Sequence, residues 1–257
     1  MKDIEVITTV LNEYLKVSQF DFDPGLNGLQ IRATKNQEIR HIATAVDATK
    51  DVILKAIELK ADCLLVHHGV CWGSYSPSVL NFKRVLLEDA GCNLLAYHLP
   101  LDAHQGVGNN VALAKYFGVE NIRPFGKLPN DHHIGIRGTL DRENLKSFYT
   151  KPLLGRVRNN FSSEKIEISS GKIEVAIVSG AGGDYFRDAL ARGIQLFITG
   201  ECRYQDGIFM EEGRARGMKV EFLGHHASET LGVRALGDYI KNFFPVRVTH
   251  IDMPILL

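Results

Sequence analysis

The chain has 257 residues, of which 45% are hydrophobic and 23% are charged, and its formal net charge is zero. These values are typical of a folded globular protein with one large domain or two modest ones. Because positive and negative charges balance, the composition shows no excess of positive charge that would attract nucleic acid or an anionic membrane. We therefore exclude both classes of partner.

The N-terminus and the cysteines predict a location inside the cell. Residues 1–7 carry acidic side chains where a secretion signal needs a basic region and then an apolar core. No apolar run approaches the roughly 20 residues of a membrane span. Cys63, Cys71, Cys92 and Cys202 form no CxxC pair, which favours reduced core thiols over disulfides or zinc ligands. We therefore expect a cytoplasmic protein.

In the first half of the chain, hydrophobic periodicity predicts alternating helices and strands. A helix is predicted over 3–17, and the turn-rich residues 21–30 are predicted to form a loop. The predicted strands are 42–47, 63–67 and 93–98, and the predicted helices are 50–60, 77–90 and 110–117. Short links between strand, helix and strand imply right-handed βαβ units and a parallel sheet.

In the second half, residues 123–131 have no periodicity and contain Pro124, Gly126 and Pro129, which predicts a boundary. The predicted strands after it are 132–138, 174–179, 195–199, 220–223 and 246–251, and the predicted helices are 141–149, 185–192, 205–216 and 225–243. The same alternation of strands and helices therefore continues to the end of the chain.

The predicted fold class is α/β, with two α/β domains whose sheets are mixed or mostly parallel. We predict one domain of residues 1–125 plus 224–257, which contains the histidine-rich strand ends, and a second domain of residues 126–223. The segments that begin at Asp51 and Asp184 resemble each other, helix into strand. This predicts an internal duplication, against the alternative that any two βαβ stretches share such a likeness.

Three apolar runs end in histidine, and two of them have a carboxylate four residues later. The runs end in His67 and His68, in His98 followed by Asp102, and in His225 followed by Glu229. In open α/β sheets, ligands bind beyond the carboxyl ends of the strands. The convergence of these side chains at strand ends therefore predicts a metal site.

Each of these histidines also has a simpler explanation when it is taken alone. His225 and Glu229 share one helical face, an arrangement that binds divalent metals, but His225 and His226 are also explained as partly buried residues at a helix start. His67 and His68 are adjacent in a strand and should point to opposite faces. At the strand end, where the chain turns, the two imidazoles can diverge toward two different ions.

Five motifs together resemble the type 2 GTP cyclohydrolase I homologues, the NGG-interacting-factor-like proteins. The motifs are Asn-Gly-Leu-Gln at 27–30, His-His-Gly at 67–69, the segment 98–110, Thr-Gly-Glu at 199–201 and the segment 224–229. The resemblance spans nearly the whole chain in one order. It implies a two-domain α/β protein that binds two divalent metal ions and assembles as a toroidal homohexamer.

The resemblance also implies a ligand set when it is carried over position by position. His67, Asp102 and Glu229 would hold one metal ion, and His68, His225 and Glu229 the other, so that Glu229 bridges them. His98, His104 and His226 match nearby motif positions, and we assign them to the surroundings of the ligands or to the pocket wall.

The chemistry of this ligand set is consistent with two neighbouring ions. Metals roughly 3.5 to 4 Å apart need a bridging carboxylate and can activate a shared water near neutral pH. Histidine with carboxylate suits zinc, iron, manganese, cobalt or nickel more than calcium or magnesium. With five protein ligands for two ions, positions stay open for water or substrate.

Three further features have a functional and a simpler explanation. For Glu201 the functional interpretation is a proton shuttle or an extra metal ligand, and the simpler one is an exposed residue at a strand end. Residues 179–184 form an anion-binding turn or, more simply, a tight turn, because they depart from G-x-G-x-x-G and lack a Walker lysine. Trp72 lines the mouth of a pocket or packs in the interior.

Three functions are compatible with these features. The first is a metal-dependent hydrolase acting on a nucleotide or a small heterocycle, since the family name implies opening of the imidazole ring of GTP. A P-loop with its lysine is absent from the sequence, which argues against a conventional GTP reader. The second is a metal-trafficking or metal-storage protein without turnover, and the third is a ring-shaped interaction scaffold. No catalytic residue is assigned.

Overall fold

The computed structural model describes residues 3–33, 38–72, 77–144 and 171–255. The chain divides into one unit of Met1–Gly108 with Thr230–Leu257 and a second unit of Asn109–Glu229. Each unit contains a five-stranded sheet with parallel and antiparallel pairs, together with helices. The predicted class of two α/β domains with mixed sheets is therefore confirmed.

The elements of the first unit follow the predicted alternation. The strands are β1 (Gly28–Ile31), β2 (His41–Asp47), β3 (Cys63–His68), β4 (Asn93–Ala96) and β10 (Arg247–His250), and the helices are α1 (Ile4–Tyr14), α2 (Lys50–Glu58), α3 (Pro77–Ala90) and α4 (Leu99–Asp102). Strand β1 corrects only the last three residues of the predicted loop over 21–30, which lie in a strand. Helix α4 has only four residues, too few for hydrophobic periodicity to reveal it.

The sheet of the first unit has the order β1-β4-β3-β2-β10, with β1 antiparallel to β4 and the other pairs parallel. Its central strand β3 is buried from Cys63 to His67 because apolar side chains pack on both faces of the sheet. Ile7 belongs to the cluster on one face and Ile53 to the cluster on the other. The parallel pairing brings the carboxyl ends of β2, β3 and β4 to one edge.

Two helices of this unit begin at side-chain caps that the sequence supplies. Asp3 accepts a hydrogen bond from the backbone N–H of Glu5 at the start of α1. Thr49 accepts one from the N–H of Val52 at the start of α2. Such caps satisfy backbone donors that have no partner within the helix, and each stabilises its helix by about 1 kcal/mol.

The second unit contains the remaining elements. The strands are β5 (Glu120–Lys127), β6 (His133–Asp141), β7 (Lys172–Val178), β8 (Leu196–Thr199) and β9 (Lys219–Phe222), and the helices are α5 (Asn109–Phe117), α6 (Phe186–Ala191) and α7 (Gly207–Ala215). The strands lie in chain order across the sheet, and β7, β8 and β9 are parallel to one another. The predicted helix over 141–149 extends into residues 145–149, which lie outside the described residues.

The segment 123–131, predicted to be an aperiodic boundary, instead contains most of β5. This strand pairs with β6 and so belongs to the second sheet. The chain passes from one unit to the other near residues 108 and 229, whereas the sequence predicts domain boundaries near 125 and 224. Those domain bounds stay a prediction.

Helix α8 (His225–Phe243) is the longest helix among the described residues and continues from the end of the second unit into the first. Val233, Leu236 and Ile240 recur at helical spacing and join the core of the first unit. No helix in the described ranges combines the length and apolar character needed to span a membrane.

The predicted duplication has a partial parallel in the sheet orders. Each unit contains three consecutive parallel strands, β2-β3-β4 in the first and β7-β8-β9 in the second. Their antiparallel neighbours differ, because β1 joins β4 in the first sheet whereas β6 joins β7 in the second. The duplication stays a prediction.

Candidate metal centre

His67, near the end of β3, is fully buried in the first unit. Its Nδ1 lies 2.8 Å from the backbone oxygen of Tyr97. A carbonyl oxygen only accepts, so Nδ1 is the donor of this bond, and Nε2 is the nitrogen on the far side of the ring. This Nε2 lies 3.4 Å from Oδ2 of Asp102. A backbone acceptor behind an imidazole is a common way to orient a metal-binding histidine.

His68, the next residue, is oriented by a carboxylate. Its Nδ1 lies 2.8 Å from Oδ1 of Asp47, which is its register partner at the end of the neighbouring strand β2. A carboxylate in this position fixes the ring and makes the other nitrogen a better metal ligand. Asp47 was not among the predicted site residues. The available signal was a strand that ends in aspartate beside a strand that ends in histidine.

His98, two residues after β4, is oriented in the same way by Asp23. Its Nδ1 lies 2.8 Å from Oδ1 of Asp23, whose side chain is inaccessible to solvent. Asp23 also accepts hydrogen bonds from Gly25, Asn27 and Leu99. Burial alone would raise the pKa of Asp23, but the hydrogen bonds outweigh it and hold this pKa below its ordinary value.

The three imidazoles of the first unit lie together. One nitrogen of each ring of His67, His68 and His98 lies within 4.8 Å of the others. The ring centroids are 4.5 Å apart for His67 and His68, and 5.2 and 5.7 Å from these two rings to His98. His98, predicted to lie only in the surroundings of the ligands, is thus part of a histidine group that could hold a metal ion.

Asp102 reaches this group through the short helix α4. The backbone N–H of Asp102 bonds to the carbonyl of His98, 3.1 Å away, so the four-residue spacing makes one helical turn. Asp102 is buried beside His67. A buried carboxylate needs hydrogen bonds or a cation to offset its lost hydration. The first unit therefore combines three imidazoles and one buried carboxylate.

In the second unit, His225 lies between two carboxylates. Its Nε2 is 3.2 Å from Oε1 of Glu229, one turn later in α8, and its Nδ1 is 2.9 Å from Oε1 of Glu201. The hydrogen bond with Glu229 is the main cause that raises the pKa of His225 to about 9; burial opposes it and Glu201 adds to it. The carboxylate of Glu201 therefore contacts Nδ1 of His225 in the same way as the carboxylate of Asp47 contacts Nδ1 of His68.

Glu229 is 2% exposed, and a glycine at the end of β7 makes room for it. Gly180 has φ of +59°, and a Cβ there would overlap Oε1 of Glu229. Ser228 holds this turn, since its Oγ accepts from the N–H of Gly180 and donates to the carbonyl of His225. With its N–H engaged and a carboxylate beside it, Gly180 favours the tight-turn interpretation of residues 179–184 over a phosphate site.

The side chain of Asn110 holds the end of β7 through hydrogen bonds to backbone groups. Its side-chain oxygen accepts from the N–H of Ser179 at 2.7 Å, and its amide donates to the carbonyl of Ile134 at 2.8 Å. The residue is fully buried. The Asn-Asn pair of the sequence motif thus contributes hydrogen bonds that fix the backbone next to Gly180.

His104 has a different environment from the other histidines. Its Nδ1 accepts from the N–H groups of Gly106 and Val107, and its Nε2 lies 3.1 Å from the carbonyl of Tyr14. The ring thus contacts loop backbone through Nδ1 and the end of α1 through Nε2, and burial lowers its pKa. His226 is half-buried in the first turn of α8.

The sequence profile of the Duf34/NIF3 family (NGG1p interacting factor 3) matches residues 2–254. The chain belongs to this family. The resemblance predicted from the five motifs is thereby confirmed. A DUF34/NIF3 relative from Pyrococcus horikoshii, named "GTP cyclohydrolase 1 type 2 homolog", is 38% identical over 255 residues, which are 98% of both chains.

Two further comparisons agree with this membership. A protein of Deinococcus radiodurans with the same name is 36% identical over 95% of this chain and 90% of its own. The crystal structure of TTHA1606 from Thermus thermophilus is 32% identical, has a TM-score of 0.81, and aligns over 99% of this chain and all of that one. This DUF34/NIF3 chain therefore shares fold and nearly full length with its relatives.

The donor set of this DUF34/NIF3 chain could hold a metal ion. Of the predicted ligands, His67, His68 and Asp102 lie in the first unit, and His225 and Glu229 lie next to each other in the second. Imidazole nitrogens and carboxylate oxygens that are oriented by further oxygen acceptors are typical metal ligands.

Proposed function

We propose that the protein binds two divalent metal ions per chain and acts as a metal-dependent hydrolase on a nucleotide or a small heterocycle. His67, Asp102 and Glu229 would hold one ion, and His68, His225 and Glu229 the other. One observation carries the proposal, namely the three clustered imidazoles whose Nδ1 atoms each face an oxygen acceptor.

The orientation of the imidazoles supports metal binding over a purely structural role. Nδ1 of each of the three rings faces an oxygen acceptor, and one ring nitrogen of each lies within 4.8 Å of the others. An acceptor behind the ring fixes its orientation and is typical of metal-binding histidines. The same geometry therefore suits the binding of metal ions.

Bound ions would supply Lewis-acid polarisation of the substrate and a lowered pKa of a bound water. The role of the chain's own residues is to orient the imidazoles. Asp47 and Asp23 keep the rings of His68 and His98 in one orientation. Glu201 accepts a hydrogen bond from Nδ1 of His225, and Nε2 of that ring faces Glu229.

The donor set limits which metals are suitable. Mixed imidazole and carboxylate ligands favour zinc, iron, manganese, cobalt or nickel over calcium and magnesium, which prefer oxygen alone. We propose a transition metal of this group. The acceptors behind the histidines strengthen nitrogen as a ligand and so add to this preference.

We also propose a cytoplasmic homohexamer. The assembly follows from the family resemblance, and the four cysteines are free thiols, which suits a reducing compartment. Light scattering during gel filtration would measure the mass of the assembly. A mass equal to that of one chain at micromolar concentration would contradict it.

Metal content is the first test of the proposal. The parent protein, purified without chelator or affinity tag, should contain about two transition-metal ions per chain by plasma mass spectrometry. Glu229→Gln removes the bridging charge and should lose most of both ions, and His67→Ala should lose about one. The matched control is Asp89→Asn, an exposed carboxylate on α3. Undiminished metal in both site variants would contradict the ligand set.

Turnover separates a hydrolase from a metal carrier. Hydrolysis of GTP or of a related heterocycle by the metal-loaded parent, lost in Glu229→Gln, would support the hydrolase. Metal that transfers readily to an acceptor chelator, with no turnover of any nucleotide, would favour trafficking or storage. The second function rests on the same ligands, so only this comparison distinguishes them.

A further inference from the structure

The first unit contains a cavity of about 480 Å³ next to the histidine group. This volume lies within the range of sites for small organic ligands. The cavity lies between the loop that follows α1 and the residues that follow β3. Its lining includes the side chains of Phe20, Asp21, Pro24, Leu26 and Trp72. The walls are therefore mainly aromatic and aliphatic.

Trp72 lines this cavity, and its indole also contacts imidazoles of the histidine group. Its ring centroid is 4.8 Å from that of His98, in an edge-to-face arrangement, and 5.8 Å from that of His68. Its Nε1 donates to the carbonyl of Gly69 at 3.1 Å, which fixes the plane of the ring. A flat molecule in the cavity that contacts this indole would therefore lie near the histidine group.

The charge of the lining is acidic. Asp21 and Asp23 both line the cavity, and among the described residues that do so there is no lysine, arginine or histidine. Asp23 already uses both oxygens, for His98 and Gly25 on one side and for Asn27 and Leu99 on the other. Asp21 is exposed and is thus the carboxylate that a ligand would meet.

This combination selects a class of ligand. Aromatic walls favour a flat ring, and a carboxylate with no cation beside it attracts N–H donors and repels phosphate. A hydrogen bond to a charged group is stronger than one between neutral groups. The lining therefore suits a neutral ring with N–H groups on its edge and disfavours a phosphorylated one.

We propose that this cavity binds the planar ring of a nitrogen heterocycle, with its face against Trp72 and its edge N–H groups donating to Asp21, and that it excludes phosphate. The inference deepens the proposed function, because it assigns the heterocyclic part of the substrate to a subsite beside the metal centre. It narrows the substrate class to a base or nucleoside rather than a nucleoside triphosphate held by its phosphates.

Trp72 makes the test direct, because it is the single tryptophan of the chain. Guanosine serves as the probe, since its ring presents adjacent N–H donors. Titration of the full-length, metal-loaded protein should change the tryptophan fluorescence in a saturable way. Asp21→Asn should weaken guanosine binding by about tenfold or more. The control Asp89→Asn should bind guanosine as the parent does, and GTP should bind more weakly than guanosine.

Several outcomes would overturn the proposal. These are no saturable change with guanosine, equal affinity for guanosine and GTP, or competition by n-butylammonium as strong as by guanosine, which would indicate a site for any cation. The comparison of guanosine with GTP uses the parent protein, so it stays decisive if Asp21→Asn fails to fold.

The same titration on Glu229→Gln, which should lose most of both ions, separates this inference from the proposed function. Guanosine binding that persists in protein without metal would support the cavity even if the metal site fails. A full complement of metal with no response of Trp72 would overturn the cavity and leave the metal site standing.

Discussion

The carboxyl ends of the parallel strands differ between the two sheets. In the first sheet, β3 and β4 end at or near His67, His68 and His98, whose rings are each held by an oxygen acceptor. In the second sheet, β7 and β8 are followed within two residues by Gly180 and Gly200. One sheet places ring nitrogens at this edge, and the other places residues without side chains there.

The difference shows two ways in which a sheet edge can serve a metal centre. Imidazoles bind directly, provided that a second group holds each ring. Glycines bind nothing, but they leave the volume that Glu229 and Ser228 occupy at the start of α8. A Cβ on Gly200 would lie 2.6 Å from Oγ of Ser228 and 2.5 Å from the carbonyl of Gly180. In the second unit the predicted ligands come from the helix, and the strand ends provide space for them.

The largest expected effect comes from filling that space. Gly180→Ala places a methyl group on the carboxylate of Glu229 and forces alanine into a left-handed conformation. We expect the free energy of unfolding to fall by about 2 to 5 kcal/mol and most of the metal to be lost. Urea unfolding and plasma mass spectrometry would measure the two effects.

Gly193→Ala is the matched control for this substitution. Gly193 also has a positive φ, of +69°, but nothing lies within 4 Å of the added methyl. It should lose only about 1 to 2 kcal/mol, from backbone strain, and should keep its metal. Equal losses in the two variants would contradict the role of Gly180 in making room for Glu229.

A smaller effect should follow from removing a carboxylate behind an imidazole in the first unit. Asp47→Ala leaves His68 in place but removes the acceptor of its Nδ1 proton. Loss of such a group weakens metal affinity by about 10- to 100-fold. Competition with a chromophoric chelator would measure it, with Asp89→Ala on α3 as control. Parent-like affinity in Asp47→Ala would show that packing alone holds the ring.

The smallest expected effect is a pH dependence of the unfolding free energy that arises from His225 in the second unit. In metal-free protein the pKa of His225, about 9, lies above its unfolded value of 6.5 because Glu229 and Glu201 favour the charged ring. Its stabilisation is therefore fully present below pH 6.5 and is lost as pH rises through about 9. Because the ring is one-third exposed, we expect only a modest decline in unfolding free energy.

Glu201→Gln tests the cause of this decline. It removes one of the two negative charges beside His225, so the stability of the metal-free variant should depend less on alkaline pH than that of the parent. Unfolding by urea at several pH values would measure both curves. Identical slopes would mean that Glu201 does not contribute to the raised pKa.

Most elements were predictable because their hydrophobic patterns are long and regular. The strands around 42–47 and 63–67 and the helix over 77–90 agree with the structure within one or two residues. Strand β5 was missed because it is an edge strand with exposed residues and contains Pro124 and Gly126, both of which usually interrupt strands. Strand β1 was missed because its partner β4 lies more than 60 residues later.

The site was predictable where the ligands end apolar runs, and less so where a partner comes from elsewhere in the chain. His68 ends β3, but Asp47 reaches it only through strand pairing over 21 residues. Asp23 reaches His98 from 75 residues away, out of a loop. Glu201 was noticed from its motif, but only its contact with Nδ1 of His225 shows what it does.

The sequence by itself determined the α/β class, the family and the predicted ligands, because these depend on periodicity and on motifs that are local in the chain. The tertiary structure alone decided which acceptors hold His68 and His98, why Gly180 is a glycine, and that Trp72 walls a cavity with acidic lining. The physical reason is separation along the chain. Hydrogen-bond partners, excluded volume and cavity walls come from residues that are far apart in sequence and that only folding brings together.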